Sequence, residues 1–398
     1  MNPLLEKLQP YPFQKFSKIL DQIEPSEDHP LIRLSIGEPQ HETPEVILKA
    51  LKYNVGEVAR YPTTQGSIEL RSTIGDWIRT RFGSEDINPE TEILPVNGTR
   101  EALFALGQVI LSHGVTNSTV VMPNPFYQIY EGAALLAGSR PEFLNLSSDS
   151  TPGWDLNEID QKTWAQTKLL YVCNPGNPTG HVMSLQEWQE LFEFSDKYGF
   201  TIASDECYSE IYFDENSPPL GAITAARLCG RSLERLIVFS SLSKRSNVPG
   251  MRSGFVCGDS EIIKKFLLYR TYHGSAMSPM VQQASIAAWR DEKHVKLNRK
   301  LYREKFDSFI STLSPFCEIK YPSAGFYIWL KTPIDDVEFA KKLYSESGVV
   351  VLPGSLLART AHGHNPGVNH VRIALVAKKH DCDEASQRIA SQFTNGFV

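Results

Sequence analysis

A lysine placed just after an apolar run is the residue of this sequence best suited to covalent chemistry. Lys244 follows the apolar residues 236–239 and the hydroxyl side chains of Ser241 and Ser243, and Arg252 comes eight residues later. Burial at the end of a strand would disfavour the ammonium and lower its pKa, which makes a lysine able to form a Schiff base. The hydroxyls and the guanidinium suit a phosphate. Taken alone, the stretch is more typical of a surface turn that happens to hold a lysine and an arginine.

A carboxylate and a phenol follow another apolar stretch. Asp205 ends the run 200–204, and Tyr208 comes three residues later. A carboxylate at such a place can hold a pyridine nitrogen protonated, and a phenol can donate to a ring hydroxyl oxygen. The alternatives are a helix-capping aspartate and a core tyrosine. Together with Lys244, these side chains are the parts needed to hold pyridoxal 5′-phosphate, whose aldehyde condenses with a lysine amine.

Residues 97–100 indicate where a phosphate would bind. Gly98-Thr99-Arg100 opens a predicted helix, about 100–112, whose first N–H groups and dipole favour an anion. Ser241, Ser243 and Arg252 would add further contacts. This sequence is also that of an ordinary strand-to-helix turn. Tyr127, in Pro-Asn-Pro-Phe-Tyr, is either a ring that stacks on a cofactor or a core aromatic.

Two further features point to ligand binding. The heptapeptide 174–180, Asn-Pro-Gly-Asn-Pro-Thr-Gly, follows a predicted strand and forces a defined non-helical path, in which an Asn-Pro bond can be cis. Arg372 lies in the apolar segment HVRIALV and therefore needs a partner. A substrate carboxylate bound bidentately would serve, as would a structural salt bridge.

The elements that must position these residues alternate between strand and helix. Short apolar strands at 92–96, 119–122, 141–146, 168–173, 200–204, 236–239 and 254–257 predict an α/β fold with a mostly parallel central sheet covered by helices. Ligands bind at the carboxyl ends of such strands, where the candidate residues fall. From about residue 285 the pattern predicts a smaller α+β domain. We expect an N-terminal arm and part of the small domain in 1–45, a large cofactor-binding domain in 46–284, and the small domain in 285–398.

Composition narrows the classes of partner. The net charge of −6 gives no reason to expect nucleic acid, and no apolar run reaches the roughly 20 residues that span a membrane. Six cysteines without a CxxC pair argue against a zinc site or disulfide framework and favour a cytoplasmic protein. His362, His364 and His370 lack matching ligands, so we expect a loop there and no metal.

The motifs, in this order, resemble those of the class I/II aminotransferases, pyridoxal-phosphate enzymes of fold type I. The matching strings are NGTREA (97–102), PNPFY (123–127), NPGNPTG (174–180), DECY (205–208), SLSKRSNVPGMRSG (241–254) and VRIAL (371–375). The resemblance implies an imine-forming, proton-shuttling Lys244 with Asp205 and Tyr208 as its catalytic partners. It implies cofactor contacts by Tyr61, Thr99, Arg100, Tyr127, Asn177, Asp205, Tyr208, Ser241, Ser243, Lys244 and Arg252, and substrate contacts by Gly37, Asn177 and Arg372.

The resemblance also implies partners and a reaction. Tyr61 matches a tyrosine that the neighbouring subunit contributes to the phosphate site, which implies a homodimer. The strings GTREALFA, CNPGNPTG and SSLSKRSNVPGMRSGF are most similar to the branch that transfers an amino group between N-succinyl-diaminopimelate and 2-oxoglutarate by a ping-pong mechanism in lysine biosynthesis. Arg100 departs from many relatives, which have a smaller or uncharged residue there, and we expect it to bind a second substrate carboxylate.

Three other functions use the same residues. One is an aminotransferase for aspartate, aromatic amino acids or kynurenine, since only the side-chain pocket would differ. Another is a lyase that eliminates a β-substituent. The third is a binding protein that uses the fold as a sensor, against which Lys244, Asp205 and Arg372 argue.

Overall fold

The computed structural model describes residues 1–84, 87–111, 117–146, 153–274 and 276–396. Its α-helices are α1 Pro12–Leu20, α2 Glu45–Tyr53, α3 Ile68–Phe82, α4 Thr99–Ile110, α5 Gln128–Leu136, α6 Gln161–Gln166, α7 Leu185–Tyr198, α8 Ala222–Leu228, α9 Leu242–Arg245, α10 Ser260–His273, α11 Pro279–Arg290, α12 Lys293–Leu313, α13 Asp336–Ser347 and α14 Lys379–Asn395. Its strands are β1 Ile32–Arg33, β2 Ile93–Val96, β3 Thr119–Asn124, β4 Arg140–Asn145, β5 Thr167–Cys173, β6 Thr201–Asp205, β7 Leu236–Ser241, β8 Gly254–Gly258, β9 Tyr327–Lys331, β10 Val349–Val350, β11 Leu352–Pro353 and β12 His370–Ala374. The predicted helix end at Ser112 lies outside the described residues.

The central sheet has seven strands in the order β2-β8-β7-β6-β5-β3-β4. All neighbouring pairs are parallel except those of β8, which runs antiparallel to both β2 and β7. The predicted mostly parallel α/β sheet is therefore confirmed. The carboxyl ends of β3, β5, β6 and β7 consequently meet at one edge.

The strand sequences explain why helices cover both faces. Leu170, Ile202 and Val238 belong to the apolar cluster on one face. Their neighbours Leu169 and Ile237 belong to the cluster on the other face. Because alternate residues point to opposite faces, strands that are apolar throughout must be buried on both sides, as in parallel sheets.

A second core lies among the C-terminal elements. Strands β11, β12 and β9 form an antiparallel sheet, and β1 pairs with β10 in parallel. Phe16 and Leu20 of α1 and Leu34 are buried in the same cluster as Phe306 and Ile389. The N-terminal segment therefore packs on the C-terminal one. The domain boundaries at 45 and 284 stay predictions, and residue 284 lies within α11.

Several elements differ from the sequence prediction. Strand β7 continues to Ser241, two residues beyond the predicted end, and Lys244 lies on the one-turn helix α9, which is capped by the Ser241 hydroxyl. Within the segment 31–36 the strand has only two residues, and the segment 282–309 forms two helices, since α11 ends before Asp291. In the described part of the chain, no helix is both long and apolar enough to cross a membrane.

Candidate active site

A cavity of about 470 Å³ opens where the strand ends of the central sheet face the second core. The predicted site residues that line it are Gly37, Thr99, Arg100, Tyr127, Asn177, Asp205, Tyr208, Ser241, Ser243, Lys244, Arg252 and Arg372. Tyr61 is not among the lining residues, and its side chain is fully exposed. The structure thus brings all predicted residues except Tyr61 into one cavity of ligand size.

Lys244 points into the cavity from α9. Its Nζ donates to the carbonyl oxygen of Gly37 and lies 5.4 Å from the centre of the Phe326 ring. The pKa of Lys244 is lowered to about 8, mainly by burial; the nearby Arg372 and Arg100 guanidiniums act in the same direction, while Cys207 and Glu38 oppose the shift. A lysine with this pKa is a neutral amine in a large fraction of molecules near pH 8, as a nucleophile or base requires.

Asp205 ends β6 and is only 4% exposed. Its carboxylate accepts a hydrogen bond from the Tyr130 hydroxyl at 2.8 Å and from the Cys207 N–H at 3.3 Å. Burial raises the pKa of Asp205, and these hydrogen bonds and Lys244 limit the rise. No arginine or lysine of the described residues forms an ion pair with Asp205, so the carboxylate has room for a cationic partner in the cavity.

Tyr208 is three residues beyond Asp205 and is buried. Its hydroxyl lies 3.1 Å from the hydroxyl of Tyr327, and burial raises the pKa of Tyr208 well above its usual value. The phenol is therefore protonated at any physiological pH and can donate a hydrogen bond. Burial also explains the raised pKa of Tyr127, whose hydroxyl accepts from Arg100 Nε at 2.8 Å.

Arg372 of β12 is 3% exposed. One terminal nitrogen donates to Asn177 Oδ1 at 2.9 Å, the other donates to the Ser35 carbonyl at 2.7 Å, and Nε is buried without a partner. The guanidinium lies over the rings of Tyr327, at 4.5 Å, and Phe13, at 5.7 Å. Within the described residues no carboxylate pairs with Arg372, so the structural salt bridge considered from the sequence is absent there.

The opposite end of the cavity has the features of an anion site. Gly98 precedes α4 at φ +92°, a conformation that favours glycine, and a Cβ there would displace the end of Arg252, whose Nη2 lies 2.1 Å from its position. The first N–H groups of α4 have no partner within the helix. Arg252 Nη2 also bonds to Glu101 at 2.7 Å. Ser241 Oγ donates to Ser243 Oγ at 3.0 Å.

The residues present fit pyridoxal 5′-phosphate and an amino acid. The cavity is lined by a lysine of lowered pKa and, among the described residues, by a carboxylate that forms no ion pair and an arginine that forms no ion pair. Buried charges normally have partners, and an imine-forming aldehyde, a protonated ring nitrogen and an α-carboxylate would supply them. The helix start with Arg252 and the serines would take the phosphate.

Some residues that line the cavity lie outside the motifs recognised in the sequence. Tyr11 and Phe13 come from the N-terminal arm, and Tyr327 comes from β9. Nothing in the local sequence of the arm marks these rings as part of a site. Tyr130, by contrast, lies three residues after Tyr127 on α5, a spacing that places the two rings 5.7 Å apart. That spacing could have indicated the partner of Asp205.

Comparisons with known proteins bear on the family and the fold of the chain. Residues 29–389 match the family model for aminotransferases of class I and II. The chain is 32% identical to an LL-diaminopimelate aminotransferase of Natranaerobius thermophilus over 98% of each chain. An aminotransferase structure from Neisseria meningitidis is 51% identical, with a TM-score of 0.96 and coverage of 98% and 99%. A Thermus thermophilus structure named as a probable N-succinyldiaminopimelate aminotransferase is 26% identical, with a TM-score of 0.82 and coverage of 95% and 98%.

Proposed function

The chain belongs to the class I and II aminotransferases, which use pyridoxal 5′-phosphate, and from this premise we propose its substrates. The proposed reaction moves an amino group from N-succinyl-LL-2,6-diaminopimelate to 2-oxoglutarate, giving N-succinyl-2-amino-6-oxopimelate and glutamate. The observation that carries this proposal is the pair of guanidiniums, Arg372 and Arg100, that line one cavity. Two cations suit a substrate with carboxylates at both ends.

The residues have separate tasks in the proposed mechanism. The cofactor, when bound, supplies an aldehyde that condenses with amines and a ring that accepts electrons from the broken Cα–H bond. Lys244 Nζ, as a neutral amine, would take the proton from Cα and deliver it to the aldehyde carbon of the cofactor, so it would act first as a base and then as an acid. Asp205 would bind the ring nitrogen, Tyr208 and Asn177 would bind the ring hydroxyl oxygen, and Tyr127 would stack on the ring.

Binding of the substrate and of the phosphate is divided between the two ends of the cavity. Arg372, with Asn177 and the backbone of Gly37, holds the α-carboxylate and thereby fixes the Cα–H bond relative to Lys244. The phosphate would be bound by the backbone N–H of Arg100, which leaves its guanidinium for the substrate, and by Thr99, Ser241, Ser243 and Arg252. The oxoacid leaves before the second substrate enters the same cavity, which gives ping-pong kinetics.

We propose that the enzyme works as a homodimer in the cytoplasm. Tyr53, Val55, Val58 and Tyr61 lie in and around the 3₁₀ helix Val55–Ala59, and their side chains are exposed by 86%, 60%, 60% and 103%. A patch of this kind on a folded chain marks an interaction surface, and Tyr61 on it would reach the partner's phosphate site. All six cysteines are unpaired, which suits a reducing compartment.

A second substrate deserves direct comparison, because relatives with about 30% identity are named LL-diaminopimelate aminotransferases. The two donors differ only in the succinyl group on the distal amine. We would measure kcat/KM with 2-oxoglutarate for N-succinyl-LL-diaminopimelate, LL-diaminopimelate, aspartate, phenylalanine and acetylornithine. The proposal requires the succinylated donor to be preferred, and a preference for any other donor contradicts it. Release of pyruvate and ammonia without an oxoacid would instead identify a lyase.

Arg100 gives a second test of the substrate assignment. In Arg100→Gln we expect KM for dicarboxylic donors to rise about tenfold, since one charge-assisted hydrogen bond is lost, and KM for monocarboxylic donors to change little. Arg79→Gln, which removes an arginine paired with Asp76 on the surface of α3, is the matched control. Equal changes for both donor classes would exclude a role of Arg100 in binding the second carboxylate.

A further inference from the structure

The loop 37–43 reaches both the side chain and the main chain of Lys244, the first directly and the second through Asn298. The loop 37–43 begins at Gly37, whose carbonyl oxygen accepts from Lys244 Nζ. Four residues later, His41 Nδ1 lies 2.7 Å from Asn298 Oδ1, and Asn298 Nδ2 lies 3.3 Å from the backbone carbonyl oxygen of Lys244. The same loop therefore reaches the reactive amine directly and the main chain of the same lysine through one amide.

The orientation of the Asn298 amide follows from its four neighbours. Asn298 is 2% exposed, and its Nδ2 faces two carbonyl oxygens, those of Lys244 at 3.3 Å and Arg245 at 3.5 Å. Its Oδ1 faces Asn247 Nδ2, a donor, at 3.1 Å. Only this orientation pairs the NH₂ with acceptors and the oxygen with donors. His41 must then donate to Oδ1, so the proton of the imidazole is on Nδ1.

The surroundings of His41 keep the ring neutral. Burial and the nearby Lys305 ammonium lower the pKa of His41 to about 4. The ring packs against Tyr302, with centroids 4.5 Å apart, and Nε2 is buried without a partner. The hydrogen bond from Nδ1 is thus the one polar contact of this imidazole among the described residues. A ring that served only to fill space would not need it.

We propose that His41 is a positioning residue for Lys244, acting through Asn298 to hold loop 37–43 and the lysine segment together. The hydrogen bond from His41 Nδ1 orients the Asn298 amide, which in turn holds the last carbonyl groups of α9. The loop then keeps the Gly37 carbonyl oxygen beside Lys244 Nζ. Loss of the donor would let the loop move and admit water to the amine. This inference rests on the proposed role of Lys244 as the lysine that binds the cofactor.

The test compares side chains that differ in where they place a donor. In His41→Asn the side-chain NH₂ falls where Nδ1 was, whereas in His41→Gln it falls near Nε2, and in His41→Phe there is none. Competitive labelling of the full-length, cofactor-free chain with acetic anhydride, read by peptide mass spectrometry, gives the pKa of Lys244. For the Phe and Gln variants we expect this pKa to rise by about half a unit or more, because hydration favours the ammonium.

The reconstituted enzymes provide the second readout. We expect kcat to fall about tenfold in His41→Phe and His41→Gln with KM little changed, since a displaced amine slows proton transfer more than binding. His41→Asn should restore both the pKa and kcat. Tyr302→Phe is the matched control, because it removes only a buried hydroxyl that has no partner and leaves the ring under His41 in place.

The outcomes separate this inference from the proposed function. An unchanged Lys244 pKa in His41→Phe and His41→Gln, or equal shifts in the Asn and Phe variants, would overturn the role of His41. Neither result would affect the function, which instead fails if Lys244→Ala keeps its turnover. A shift in Tyr302→Phe as large as that in His41→Phe would assign the effect to packing alone.

Discussion

Replacing Arg372 should separate substrate binding from stability. A guanidinium has five N–H groups, and one on each terminal nitrogen is used by Asn177 and Ser35, so three remain, including the unpartnered Nε–H. Two of these can bind a carboxylate bidentately. At about 1.5–3 kcal/mol for each hydrogen bond to a charged group, Arg372→Met should lose ~3–6 kcal/mol, or about 10²- to 10⁴-fold in kcat/KM.

The assay compares two amines in a single half-reaction. Glutamate has an α-carboxylate, and 4-aminobutyrate, its decarboxylated analogue, does not. We expect Arg372→Met to show the full loss with glutamate and a loss of no more than about threefold with 4-aminobutyrate. Arg372→Lys keeps the charge but not the planar pair of N–H donors that binds a carboxylate bidentately, so its loss of kcat/KM with glutamate should be intermediate. Equal losses with both amines would refute the assignment of Arg372 to the α-carboxylate.

The same variants test whether the buried charge of Arg372 contributes to the stability of the folded chain. Because its described partners are neutral oxygens, its charge is buried without the compensation of a carboxylate. A buried charge of this kind can be replaced by an apolar side chain at little cost, so Arg372→Met should unfold at the same temperature as the wild type or at a higher one. Destabilisation by more than about 2 kcal/mol in urea would instead indicate a structural ion pair.

Three further predictions concern other parts of the molecule. Lys244→Ala should lose the absorption band of the cofactor bound to the lysine and all measurable turnover, and near-normal turnover would refute the assignment. Val58→Glu, on the exposed apolar stretch, should give a monomer in light scattering with weakened cofactor binding, whereas an unchanged dimer would exclude this surface. Burial lowers the pKa of Lys305 from 10.5 to about 8, so the unfolded chain binds more protons between these values and wild-type stability should rise with pH. Relative to Lys305→Met in urea unfolding, we expect a gain of up to ~3 kcal/mol across that window, and parallel curves would contradict it.

The parts of the site that could be predicted from the sequence are those fixed locally. Lys244, Asp205 and Asn177 each follow an apolar strand, and parallel strands place such residues at one edge without any knowledge of the rest of the chain. Both Asn-Pro bonds of the heptapeptide are cis, as the sequence allowed. The alternation of strands and helices was predictable for the same local reason, because apolar strands must be covered on both faces.

The parts that the sequence did not indicate depend on contacts between distant residues. His41 and Asn298 are 257 positions apart, and Arg372 and Ser35 are 337 apart. No local sequence pattern predicts which pairs of distant residues will form hydrogen bonds in the folded chain. The sequence placed Lys244 just after a strand but did not indicate the four-residue helix α9, which begins at Leu242 and is capped by the Ser241 hydroxyl.

Helix α12 connects the segment that carries Lys244 to the segment that carries Arg372 through a fixed number of residues. Asn298 bonds the carbonyl of Lys244, and Lys305, seven positions later, donates to the carbonyls of Leu375 and Val376, just beyond the strand that carries Arg372. Seven residues make about two turns, so both side chains project from the same face. Inserting or deleting one residue between them would turn one contact by about 100° relative to the other. Among descendants of this protein, we therefore expect length changes in loops to persist and length changes in this stretch of α12 to disappear.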